Sequence, residues 1–108
     1  GDLLMSDSIK VRAKVTGGVT EVKALINHAM ETGQRKDAKT GQIVPAHFIQ
    51  DITCSHNGEN VLTAQWGVAI SKNPYLSFKF SGAKAGDTLK VSWVDNKGET
   101  DSVETKIS

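Results

Sequence analysis

One cysteine, Cys54, stands in the whole chain, so no intramolecular disulfide can form and the cysteine count identifies no redox compartment. Proline is nearly as scarce, at Pro45 and Pro74. Long apolar runs are missing too. None approaches the roughly 20 residues of a membrane-spanning helix, and Leu3, Leu4 and Met5 are too short a stretch for a signal peptide. No charge of one sign dominates: 13 basic and 12 acidic side chains nearly cancel, which removes any general attraction to nucleic acid or to a membrane surface. Helical periodicity is absent as well, because no window keeps a 3.6-residue apolar repeat for ten residues.

What is present is alternation. The 108 residues allow one domain with one core. Gly1 to Leu4 read as an expression remnant ahead of a natural start at Met5, which sets residues 1–5 apart from a single domain over 6–108. Ile9, Val11, Ala13 and Val15 alternate with Lys10, Arg12 and Lys14 up to Gly17-Gly18, as in a half-buried strand. Further strands are expected over residues 19–26, 47–55, 61–66, 75–80 and 88–94, and around Val103, Thr105 and Ile107. Asn57-Gly58 and Asp95-Asn96-Lys97-Gly98 mark hairpin turns. About seven short strands with Gly-rich turns predict an all-β, immunoglobulin-like two-sheet antiparallel sandwich. The segment from His28 to Pro45 breaks the pattern. Loops this long are uncommon in compact domains and are often functional; the alternatives are a partner-binding loop or a long hairpin connection with its tip near Gly41.

Chemistry finds little support. Cys54 is expected on the buried face of its strand, two residues after Ile52 and on the side of Phe48, where a thiol is inert. No Gly-x-Ser-x-Gly elbow is present. Cys54 and His56, with His28 and His47, could supply metal ligands. However, His56 falls where the turn begins, and no Cys-x-x-Cys pair exists. Asp95 and Glu99 flank a hairpin turn, while Glu31 and Asp37 lie in the long loop. All four read as solvated surface charges rather than acid–base pairs. Trp66 and Trp93 read as core. The expectation is no catalytic residue, no cofactor and no metal.

Two stretches resemble a known family. Residues 18–37, with the run His28-Ala29-Met30-Glu31-Thr32-Gly33-Gln34-Arg35-Lys36-Asp37, are similar to the SoxZ family. So is Ser71-Lys72-Asn73-Pro74-Tyr75-Leu76-Ser77-Phe78, followed by Trp93-Val94-Asp95-Asn96-Lys97-Gly98. The likeness extends essentially from Ile9 to Ile107. It implies an immunoglobulin-like, non-catalytic subunit of the SoxYZ carrier of thiosulfate oxidation. The implied obligate partner is SoxY, whose Gly-Gly-Cys-Gly-Gly arm carries thiosulfate-derived sulfur as a covalent adduct. The resemblance further implies transient docking to SoxAX, which loads the arm, to SoxB, which hydrolyses the sulfonate, and to SoxCD where present. It also implies periplasmic residence by export with signal-bearing SoxY. Cys54, within a strand, is not such a swinging thiol.

An obligate subunit should expose an apolar patch. Met30, Phe48 and Tyr75 are the candidate members, with Glu31, Arg35 and Lys36 at a polar rim; the bland reading of each is core or solvated loop. Self-association of the isolated chain through the same patch stays open. Two other readings compete: a generic immunoglobulin-like recognition domain, and a redox metalloprotein built on Cys54 and histidine.

Overall fold

The computed structural model describes the backbone of residues 4 and 5 and all of residues 8–108. The expectation about residues 1–5 falls mainly outside that range. Eight strands follow in order: β1 (Leu4–Met5), β2 (Ile9–Thr16), β3 (Val19–Ile26), β4 (Ile49–His56), β5 (Glu59–Gln65), β6 (Tyr75–Ser81), β7 (Thr88–Asp95) and β8 (Thr100–Lys106). They form two antiparallel four-stranded sheets, ordered β1-β2-β3-β6 and β5-β4-β7-β8. The two-sheet sandwich and its all-β class agree with the alternation; β1, a two-residue edge strand, is the one addition.

Period-two alternation becomes burial directly. Ile9, Val11, Val22, Ala24 and Ile26 point inward from the first sheet and meet Ile52, Cys54, Leu89, Val91 and Trp93 from the second. Each fully buried Ile or Leu contributes about 1.5–3 kcal/mol relative to exposure. The Asn57-Gly58 turn needs positive φ at both central residues, and takes φ 49° and 88° there.

Pairing along β4 is irregular at two places. Register shifts between Ile49 and Asp51, and again between Cys54 and Ser55. The first makes Ile49, rather than Phe48, the residue fully buried beside Ile52; Phe48 is only half-buried. The second leaves Val61 of β5 as the extra residue, while β4 pairs with β7 without a break from Cys54 to His56 and so keeps both on one face.

The sandwich is closed unevenly. On one side β2 lies against β8, and Ser108 crosses over to exchange backbone hydrogen bonds with β2 through Val15 N–H (2.9 Å) and Ala13 C=O (3.1 Å). No comparable contact joins β5 to β6 on the other side.

Candidate functional site

The long segment after β3 is an ordered two-stranded arm, which bears out the hairpin reading with Gly41 near its tip. Glu31 and His47 exchange both backbone hydrogen bonds at its base, 2.6 and 3.0 Å long. Further out, Val44 N–H donates to Arg35 C=O (2.8 Å) and Asp37 N–H to Gln42 C=O (2.8 Å). Gly41 closes the tip at φ 71°. Gly33 takes φ 85°, and a Cβ there would lie 3.2 Å from the Ala46 methyl, so the two strands of the arm approach where only glycine fits.

A buried carboxylate ties this arm to the body. Asp95, the last residue of β7, is 2% exposed, which corrects its expected role as a solvated charge. His28 Nε2 lies 3.1 Å from Asp95 Oδ2, and His47 Nε2 lies 2.6 Å from the same oxygen. The other oxygen accepts the Lys97 and Glu99 amides at 3.0 and 2.9 Å. The His28 ring stands edge-on to His47 and Trp93, with centroids 4.5 and 5.1 Å away. Burial pushes the Asp95 carboxyl up, but the bonds from both imidazoles and both amides outweigh it and hold the group below its ordinary value of 3.8.

His28, His47 and Asp95 have ligand atoms within 4.8 Å of one another, a spacing a metal could bridge. The hydrogen-bond polarity argues otherwise. Met30 N–H donates to His28 Nδ1 at 3.1 Å, so Nδ1 is unprotonated and the hydrogen sits on Nε2, facing Asp95. A neutral imidazole ligating through Nε2 needs the reverse: a lone pair on Nε2 and a hydrogen on Nδ1, given to an acceptor. The cluster is built as a hydrogen-bonded hub. Nor do Cys54 and His56 form a site, because Cys54 faces the core with its thiol pushed by burial up to about 12, while His56 Nε2 pairs with Asp87 Oδ2 at 2.7 Å. That bond, with the Lys84 amide, holds the Asp87 carboxyl below its usual value.

The sequence-predicted contact residues disperse. Met30 is 5% exposed, so it belongs to the core and not to an exposed apolar patch. Its left-handed backbone (φ 49°) turns the side chain inward at the foot of the arm, with Sδ 3.4 Å from the Ile49 amide nitrogen. Phe48 is half-buried, its amide donating to Asn96 Oδ1 at 2.8 Å. Glu31 and Arg35 meet in a bidentate pair on the arm, at 2.8 and 3.1 Å, and the guanidinium lowers the Glu31 carboxyl. Arg35 and Lys36 are exposed. Tyr75, 57% exposed, sits apart from them on the outer face of β6.

An incompletely covered apolar surface does exist, elsewhere. Leu76, Phe78 and Phe80 of β6 pair in register with the inward residues Ala24, Val22 and Thr20, so they face between the sheets. Leu62 and Ala64 of β5 do the same opposite Cys54 and Ile52. With Trp66 and Ile70 of the connection they are only half-buried, because β5 and β6 do not close on each other. Trp66 is thus a seam residue, whereas Trp93 is core. Phe78 and Phe80 stack at 6.2 Å, and Phe80 reaches the His56 ring at 5.5 Å. Period-two alternation puts Leu76, Phe78 and Phe80 on one face, but does not show that the sandwich is open above them.

The chain matches the family described as "Sulphur oxidation protein SoxZ" over residues 9–106, nearly its whole length. No curated protein sequence matches it. The chain therefore belongs to the SoxZ family. Membership gives it a role in sulfur oxidation, in a family that is a non-catalytic carrier subunit, and implies a SoxY partner within the Sox system.

Proposed function

From that membership, we propose that this chain is the scaffold subunit that binds SoxY and holds the sulfur carrier's base while the carrier's arm visits the Sox enzymes. The seam between β5 and β6 is the observation that favours binding over chemistry. Half-buried aromatic and aliphatic side chains on two edge strands offer an apolar centre and open backbone, the two things a stable subunit contact uses. The arm supplies a polar rim with Glu31, Arg35 and Lys36. Its anchor at Asp95 keeps that rim in one position, so docking costs little ordering. Periplasmic residence by co-export with SoxY belongs to the same proposal, as does transient docking of the assembled pair to SoxAX, SoxB and SoxCD.

The test is co-expression of the tagged chain with untagged SoxY. Stoichiometric SoxY retained through a high-salt wash is the expected result, since an apolar seam is insensitive to screening. SoxY lost in that wash, with the tagged chain folded, would sink the reading. A generic recognition domain would retain no fixed partner.

A further inference from the structure

The outer face of the β1-β2-β3-β6 sheet carries a charge that the composition hides. Strand register sets Lys10 beside Leu25 and Tyr75, then Arg12 beside Lys23 and Ser77, then Lys14 beside Glu21 and Lys79. Among the described residues five cations meet one carboxylate there, and Glu21 is already engaged by Lys23 (3.4 Å) and Lys79 (3.8 Å). The described residues 8–108 hold 13 basic and 10 acidic side chains, or +3, and this face alone holds five minus one, or +4, so the described surface outside it is net −1. The outer face of the second sheet is different in kind: its central row is Thr63, Thr53, Ser92 and Ser102. At the Tyr75 end the basic face turns apolar. Leu25 and Tyr75 are 43% and 57% exposed and, with Lys10, Arg12 and Lys23, line an open depression of about 190 Å³.

We propose that this face docks an acidic protein surface, the cations steering it in and the Tyr75–Leu25 end seating an apolar side chain. Arginine and tyrosine, which both line this depression, are the residue types on which interface energy concentrates. Opposite potentials raise association rates and fix orientation. Other occupants fit less well. A second copy of this chain would bring cations against cations across a two-fold axis. A long polyanion such as duplex DNA would overrun the face onto described surface that has no net positive charge. A small anion finds no cradle, since the inner strands have their backbone amides committed to pairing. The surface is separate from the β5–β6 seam and does not depend on SoxY being what fills that seam.

The experiment titrates the full chain with a short Asp/Glu peptide carrying one central Phe, read by fluorescence anisotropy at low and high salt. Wild type should bind at low salt. Lys10→Glu/Arg12→Glu/Lys23→Glu should weaken binding about 100-fold, and the neutral Lys10→Gln/Arg12→Gln/Lys23→Gln about 10-fold. All three positions are exposed, and the neutral variant provides the answer if the reversal disturbs folding. Tyr75→Ala should cost about 10-fold at every salt concentration. Lys90→Glu/Lys106→Glu on the other sheet should change little. No peptide binding, equal affinity of wild type and both triple variants, or tighter binding of duplex DNA or phosphatidylglycerol vesicles would each overturn the proposal. Co-purification of SoxY with the triple-Gln variant is scored separately. SoxY retained while peptide binding fails rejects this face alone; SoxY lost along with peptide binding identifies SoxY as the acidic partner.

Discussion

Asp95→Ala is expected to lower the unfolding free energy by about 3–5 kcal/mol, a large part of what a small domain has. The substitution removes the acceptor group shared by His28 Nε2, His47 Nε2 and the amides of Lys97 and Glu99. His47 keeps a second partner in Glu99 Oε2 at 3.2 Å, so the penalty falls mainly on His28 and the two amides. Buried donors left unpaired each cost about 1–3 kcal/mol, and His28 is too enclosed for water to replace the carboxylate there. Asp95→Asn should fall between, since its amide oxygen can still serve two donors while its nitrogen faces the others. Urea unfolding measures both. A loss below about 1 kcal/mol for Asp95→Ala would show that the hub does not hold the arm. Acid should erase the difference. The folded carboxyl sits below 3.8, so its stabilisation is fully present above that pH and is lost as pH falls through the lower folded value. Wild type and Asp95→Asn should therefore converge in strong acid.

Phe78→Ala should raise the Kd for SoxY by about 30- to 1000-fold, the size of an interface hot spot. The same change should cost the isolated chain only about 1–3 kcal/mol, less than a fully enclosed Phe, because one side of the ring already meets solvent. The two readouts separate a seam that is an interface from one that is merely a loose core. Calorimetric titration of SoxY showing an unchanged Kd, in a variant still folded at the assay temperature, would reject the seam as the contact.

The fold was legible because alternation is local. Lys10, Arg12 and Lys14 announce an outer face without any tertiary information. The hub was not legible in that way. Asp95 sits in a turn sequence, Asp-Asn-Lys-Gly-Glu, that reads as exposed. Its bonds to the Lys97 and Glu99 amides could have been anticipated as turn chemistry. The histidines that bury it come from positions 28 and 47, and no local pattern connects those three residues. Met30 misled for a related reason: its place in a charged loop suggested exposure, while its backbone conformation sends the side chain inward. The seam needed knowledge of where the two sheets diverge. Period two tells which face a side chain takes, and nothing about what lies above it.

The span of the hub in sequence also bears on the order in which the chain folds. Asp95 joins partners 67 and 48 residues away, and closing loops of that length is unfavourable until the strands between them are paired. The arm therefore locks after the sandwich has formed, outside the folding nucleus. Weakening the lock should hasten unfolding and leave the folding rate nearly untouched. In a chevron plot of Asp95→Asn only the unfolding limb should move; displacement of the folding limb would place the lock inside the transition state.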